Sequence, residues 1–428
     1  MSVPLDRLYN HLDGLCNHDA LIYRFYPHGS KKLEDLQELY NYYEVDWFSC
    51  ITRPNMVCHD QEPLNFGYYG KQQVINIVSP APANALDKIS KWFDHMNIRV
   101  VLSNRHSLYD LTMLTHSEKN STNLERYEQA GFVGIHWWAH AALARDWYRY
   151  AQYDPELRVN FAQITQDFLV YNRAWSGTRE YRLKFTELVV DTGLHNKCLM
   201  KFSPECDGKY YQDFTASNST LSITRHDLDQ YFDPSTVDAT ASADYNNIDY
   251  QHTAIEVVLE TLFDDSRLHL TEKSLRPIAC GRPFILAATP GSLEYLKSYG
   301  FETFSSFIDE SYDKITNPAE RLVSICKEMQ RIANLSQEQK RQLWQELYAI
   351  AQRNQQLFFS DAWQKTIFDE FVENYKRARK IVDQHVSTKH WKNIKEVNFD
   401  LCPHAKMLQN LKPSLDNQKQ IQDWLNSH

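Results

Sequence analysis

Short apolar runs alternate with helix-patterned stretches along most of this chain, and that alternation limits the folds open to it. Ala20 to Phe25 is followed by a polar helical stretch from Lys32 to Tyr43, and then by Val74-Ile75-Asn76-Ile77-Val78. The helical segment Ala85 to His95 precedes Ile98 to Ser103, and Phe132-Val133-Gly134-Ile135-His136 comes after a polar interval. Parallel neighbours cannot be joined by a tight turn, so strand and helix in alternation predict a parallel sheet with covering helices. The pattern gives a first Rossmann-like domain over residues 1–150.

A second set of elements begins at Phe168-Leu169-Val170-Tyr171-Asn172 and continues through the amphipathic stretch Arg179 to Thr192. Residues 203–249 are rich in Asp, Ser, Thr and Asn and read as an insertion over one face of the domain. The pattern resumes with the strand candidate Ala254 to Leu259, a buried-strand run Cys280 to Ala288 approached through a tight turn, and the helical Leu293 to Tyr299. This is a second α/β domain, 151–317. After Asn317-Pro318 the residues keep helical spacing over Ala319 to Leu335, Ser336 to Phe358 and Asp361 to His385, which gives a helical extension and tail over 318–428. Pro318 falls near a helix start, where a missing amide hydrogen costs least.

With 428 residues, 43% of them hydrophobic and 13% aromatic, the chain has the core material for more than one folded domain. A formal net charge of −9 disfavours a polyanion-binding surface, since such affinity comes mostly from Lys and Arg neutralising phosphates. The eight cysteines are scattered, with no CxxC pair, and read as reduced thiols of a cytoplasmic protein. Neither a signal-peptide pattern at Met1 to Arg7 nor an apolar run long enough for a membrane span is present in the sequence.

Two facing Rossmann-like domains would place ligands at the carboxyl ends of their strands. Four groups of residues are candidates for that position. The first surrounds Leu270-Thr271-Glu272-Lys273, with Glu256 and Glu260 on or after a strand and Asp264-Asp265 in a loop. Thr271 is placed to cap a helix, Glu272 to accept from a ribose hydroxyl and Lys273 to meet a diphosphate; the competing reading is an ordinary capped helix with solvated charges. The second is Asn172 to Arg182, whose Arg179 and Arg182 share a helix face and can neutralise a departing nucleoside diphosphate, against the alternative of a surface ion-pair network.

The third group is Cys58-His59-Asp60-Gln61-Glu62-Pro63. Glu62 is the first candidate for a general base that deprotonates an acceptor hydroxyl and His59 the second, while turn chemistry before a proline is the competing account. The fourth is His136-Trp137-Trp138-Ala139-His140, where His136 and Trp137 can form an acceptor platform, although aromatic residues at helical spacing are more often core. His136 and His140 stand four apart, but no third ligand has the spacing of a known site, so no metal is assigned. The phosphate and nucleophile loops GxGxxG, GxxxxGK[ST] and GxSxG are all absent from the sequence, which argues against dehydrogenase, kinase and serine-hydrolase readings.

The stretch Glu256 to Phe307 resembles the donor-binding region of the α1,3-fucosyltransferases, glycosyltransferase family 10. The residues that carry the resemblance are Glu260, Asp265, Thr271-Glu272-Lys273, Ala279-Cys280-Gly281, Pro283-Phe284-Ile285 and Phe307-Ile308-Asp309, with Arg179 and Arg182 placed like that family's arginine after the Ser/Gly loop. The chain departs from the family where Val258-Leu259-Glu260-Thr261 replaces Phe-Glu-Asn-Ser, and where Arg276-Pro277 follows the Thr-Glu-Lys. The resemblance covers roughly the second domain. It implies a GT-B architecture of two facing Rossmann-like domains and an inverting mechanism without an obligatory metal or other cofactor. It further implies a nucleoside-diphosphate sugar donor, GDP-fucose in the family itself, held by Arg179, Arg182, Glu260, Glu272 and Lys273.

Phe25-Tyr26-Pro27-His28-Gly29, Asp60-Gln61-Glu62-Pro63-Leu64 and Leu270-Thr271-Glu272-Lys273 also resemble stretches of uncharacterised proteins of marine tailed phages and cyanobacteria, a group that brings no function with it. The expectation is therefore a cytoplasmic glycosyltransferase acting on a glycan or other hydroxyl acceptor. The alternatives are a phage-type transferase that glycosylates a modified DNA base, and a catalytically silent binding or structural protein with the same fold.

Overall fold

The structure, a computed structural model, describes residues 20–23, 56–59, 113–120, 133–232 and 244–388. They divide between two compact units, one running from 140 to 366 and the other holding the described residues up to 139 and from 367 onward.

The unit that contains the first sheet has four parallel strands, β1 (Ala20–Tyr23), β2 (Met56–His59), β3 (Met113–His116) and β4 (Val133–His136), side by side in chain order. β1 and β4 fall on apolar runs that read as strands. β3 has no counterpart in the sequence reading. The segments expected as strands at 74–78 and 98–103 and as helices at 32–43 and 85–95 lie outside the described residues.

In the unit spanning 140–366, α1 (Ala139–Trp147) leads to β5 (Gln166–Asn172), α2 (Tyr181–Asp191) and β6 (Cys198–Phe202). A small antiparallel hairpin, β7 (Glu205–Cys206) with β8 (Lys209–Tyr210), precedes α3 (Asn247–His252) and β9 (Thr253–Leu259). Then come α4 (Glu272–Ala279), β10 (Phe284–Ala287), α5 (Ser292–Ser298), α6 (Pro318–Ala333) and α7 (Gln337–Phe359). The long helix α8 (Asp361–Thr388) begins in this unit, and from residue 367 onward it belongs to the other. The helices read as an extension from residue 318 are thus part of the second sheet's compact unit as far as Thr366.

The four strands of this sheet are parallel and lie in the order β6-β5-β9-β10. The chain steps outward from β5 to β6, returns past its starting strand to β9, and continues the opposite way to β10. Right-handed crossovers that run in opposite directions put their helices on opposite faces, so α2 and α4 cover different sides of the sheet. α6 packs beside α2, and α7 packs against α4. Buried on both faces, the strands are built from continuous apolar runs: Phe168, Val170, Ile255, Val257 and Ile285 are all 0% exposed.

The second face is more polar. Glu256 in β9 pairs with Arg276 of α4 at 2.5 Å and accepts from the Tyr250 hydroxyl, and the Arg276 guanidinium lies 4.4 Å from the centre of the Tyr171 ring. Lys340 of α7 reaches Asp167 of β5 at 2.7 Å, another ion pair buried at both ends. α4 ends in a Schellman turn, with Arg282 N donating to Pro277 O at 2.8 Å and Gly281 N to Ile278 O at 3.1 Å. Gly281 stands at φ +62°, and a Cβ there would meet the Gln355 side chain of α7 at 3.2 Å.

Candidate functional site at the carboxyl ends of β5 and β9

Where the strand order reverses, the carboxyl ends of β5 and β9 adjoin, and the loops that leave them diverge to opposite faces. This is the position at which open α/β sheets bind ligands. The first loop and the start of α2 carry Arg179 and Arg182. The second leads from Glu260 and Thr261 to the amino end of α4, with Thr271, Glu272 and Lys273.

These residues have distinct tasks. Glu260 is 0% exposed. One carboxylate oxygen accepts from Thr271 N at 2.9 Å, Ser274 N at 3.2 Å and Ser274 Oγ, while the other accepts from Thr271 Oγ1 at 2.8 Å and Thr261 N at 3.0 Å. The protein's own carboxylate therefore occupies the amino end of α4, where the sequence reading placed an incoming phosphate. Thr271 caps the helix as expected, its Oγ1 accepting from Lys273 N at 3.4 Å. Pro277 sits within α4 and lacks the amide that would close on the Lys273 carbonyl, so the helix forgoes one backbone hydrogen bond there.

Arg182 is buried and bound to backbone. One terminal nitrogen donates to Ala174 O at 2.7 Å, the other to Leu259 O at 2.7 Å and Glu260 O at 3.0 Å. The Tyr181 hydroxyl joins the same carbonyl ends, donating to Glu260 O at 2.7 Å and Ala287 O at 3.2 Å. Both side chains tie the strand ends together through these carbonyls. Arg179, in the 3-10 turn just before α2, is only partly buried.

Lys273 keeps 18% of its side chain exposed and donates to Glu272 Oε1 at 2.5 Å, Thr271 Oγ1 at 3.3 Å and Thr261 Oγ1 at 3.4 Å. Burial lowers its pKa below the usual lysine value; Glu272 and Glu260 pull it upward, and Arg182 and Arg179 push it down. Charges far apart in sequence thus act on the same ammonium. Glu272 itself is 0% exposed.

The polar region read as an insertion is fastened to α2 by two carboxylates that the sequence reading passed over. Glu180 accepts from Ser217 N and Ser217 Oγ, both at 2.6 Å, and from Asn218 N at 3.1 Å. Two helical turns further on, Glu187 accepts from Thr224 N at 2.5 Å, Thr224 Oγ1 at 2.6 Å and Arg225 N at 2.9 Å, and also pairs with Lys184. Burial acts to raise the pKa of Glu187, but its hydrogen bonds outweigh burial and hold it below the ordinary glutamate value. Seven residues apart, Glu180 and Glu187 fall on one face, and the Ser- and Thr-rich stretch further along the sequence is the local hint of what they hold.

The remaining candidates divide. Glu62 lies outside the described residues, and His59 is the last residue of β2. Trp137 is buried, with Phe368 at 6.3 Å and Phe371 at 5.1 Å between ring centroids, so its ring packs among protein aromatics. His136 has Nδ1 3.1 Å from Glu118 O and Nε2 3.6 Å from Glu370. Asp264 accepts from Asn218 Nδ2 at 2.9 Å, and Asp265 pairs with Arg267 at 2.5 Å, so neighbours within the chain engage this acidic pair. Among the described residues no group of three or more His, Cys, Asp or Glu is placed to hold a metal ion, and no helix is long and apolar enough to cross a membrane.

Fold and site together define a doubly wound α/β unit with a partly exposed Lys, a partly buried Arg and a buried Glu at its switch point. No protein-family model, curated protein or solved structure matches the chain.

Proposed function

We propose that this protein is a glycosyltransferase of the GT-B type, with the unit spanning 140–366 as its donor-binding half and a nucleoside-diphosphate sugar as donor. The observation that carries the reading is the contact of Lys273 with Glu272 at the carboxyl end of β9, with Arg179 in the turn that follows β5, the neighbouring strand. Metal-free transfer from a nucleoside diphosphate needs positive charge where the leaving diphosphate develops its own negative charge. Lys273 and Arg179 are the cations for that task, since Arg182 is engaged by three carbonyls and serves to shape the edge. Glu272 accepts from hydroxyls of the donor. Glu62, or His59 in its place, takes the proton of an acceptor hydroxyl as that oxygen attacks the anomeric carbon and the diphosphate leaves with the bonding electrons.

Titration of the purified protein with GDP, UDP and ADP and their sugar conjugates tests the reading. One nucleotide should bind, and Lys273→Ala should weaken it by about 10- to 100-fold, the worth of a charge-assisted hydrogen bond. Absence of binding by every nucleotide would leave a silent binding or structural protein as the better account.

A further inference from the structure

Asn218, in the polar stretch after β6, touches both of the loops that part at the switch point. Its backbone nitrogen donates to Glu180 at 3.1 Å, and its Nδ2 donates to Asp264 at 2.9 Å. Glu180 follows Arg179 and immediately precedes α2, while Asp264 lies on the connection from β9 to α4, which leads to Lys273. The remaining side-chain atom is engaged as well, since Oδ1 accepts from Thr220 N at 3.0 Å and Thr220 Oγ1 at 2.8 Å and caps a short 3-10 turn. These partners fix the amide's orientation, with the oxygen on Thr220 and the nitrogen on Asp264.

The same stretch grips the Arg179 turn from its other end. Asp207 and Gly208 stand at φ +52° and +72°, the two left-handed residues of a tight hairpin turn between β7 and β8. From that tip Asp207 accepts from Ser176 Oγ at 2.5 Å, and Ser217 donates to Glu180 through both its N and its Oγ. The turn Gly177–Arg179 is thereby held on either side by residues 207–218, and Asn218 carries that frame across to the β9 connection. We propose that Asn218 is a positioning residue: by bridging Glu180 and Asp264 it fixes the turn that bears Arg179 relative to the connection that leads to Lys273, and so sets nucleotide affinity without meeting the ligand. This rests on the donor-site reading given above. Two cations that share one diphosphate must keep their separation, and a loop that has to be ordered by the ligand lowers its affinity.

Exchanging donor and acceptor across the bridge tests it. Asn218→Asp keeps the oxygen that caps Thr220 and the backbone donor to Glu180, but turns a second carboxylate towards Asp264. Adding Asp264→Asn to the same chain restores one donor facing one acceptor with their roles reversed. Two readouts on the full-length protein are needed: hydrogen exchange at Thr261 N, Thr271 N and Ser274 N, the amides that Glu260 holds at the two ends of the β9 connection, and calorimetric affinity for the best binder among GDP, UDP and ADP. In Asn218→Asp exchange should be about fivefold faster and binding about fivefold weaker, the size of like-charge repulsion at this range in water. Asp264→Asn alone should stay within about twofold of the wild type, because an amide oxygen still accepts from Nδ2, and the double variant should return both readouts to that range.

A double variant no better than Asn218→Asp overturns the proposal, as does faster exchange with unaltered affinity, which would leave a bridge that positions nothing. If Asn218→Asp fails to fold, as judged by its melting curve, Asn218→Ser replaces it: the hydroxyl can still cap Thr220, the donor to Asp264 is gone, and unchanged affinity would again count against the proposal. Should the wild type bind nucleotide while Asn218→Asp matches it in both readouts, the positioning role is wrong and the donor site stands. Binding of no nucleotide by the wild type removes the donor site and with it the positioning role, and the exchange rates then report on the bridge alone.

Discussion

At the scale of single residues, two arginines three positions apart show how burial assigns tasks. Arg182 lies under the edge with its terminal nitrogens on three carbonyls, whereas Arg179 precedes the helix and is partly accessible. Arg182→Met should therefore lower the unfolding free energy by about 3 kcal/mol in urea titrations, because hydrogen bonds from a charged group to buried carbonyls are lost. Arg179→Met should leave stability within about 0.5 kcal/mol and weaken nucleotide binding instead. The reverse pattern would exchange their assigned roles.

Asp313 supplies a prediction in pH. Its carboxyl faces the amino end of α5 and accepts from Leu293 N at 3.3 Å, but burial dominates and pushes its pKa up to about 6. A carboxyl with a raised folded pKa binds its proton more tightly in the native state, so it costs stability above about 6 and ceases to do so below about 4. Between those limits the wild type should lose up to about 3 kcal/mol relative to Asp313→Asn as pH rises. Paired urea titrations across pH 4–7 measure that difference, and parallel profiles would reject the assignment.

At the scale of elements, the ends of α4 explain why the helix stands where it does. Its start is fixed by Glu260 and Thr271, and its end by the Schellman turn at Gly281. Gly281→Ala puts a side chain at φ +62° and 3.2 Å from Gln355 Oε1, which should cost about 1–2 kcal/mol and appear as a lower melting temperature. The loop after β6 depends on a different pair of anchors. Glu187→Gln removes the charge that accepts from Thr224 and Arg225 while the helix retains its apolar face. Limited proteolysis should then cut residues 203–232 faster while hydrogen exchange in β5 and β9 stays slow. Equal cutting rates would show that the loop is held by other contacts.

For the molecule as a whole, the second sheet and the helices after residue 317 are interdependent. α6 lies beside α2 on one face, α7 on α4 at the other, and the buried pair Lys340–Asp167 fixes α7 to β5. A chain stopped at residue 317 would uncover apolar area on both faces and leave Asp167 without its lysine, so its circular-dichroism melt should lack the cooperative transition of the full chain. The sequence alone determined most elements of this unit, because local periodicity and end signals carry them. The apolar runs of β5 and β9, Thr271 as the cap of α4 and Pro318 at the start of α6 all stand in the structure as the residues predict. β6 escaped notice because Cys198-Leu199-Met200-Lys201-Phe202 is short and carries a charge within it. Tertiary structure decided which charges meet. Glu260 fills the helix end and Arg182 turns to the carbonyls of Ala174, Leu259 and Glu260, and both outcomes depend on strand order and on burial by distant segments, which no local pattern encodes.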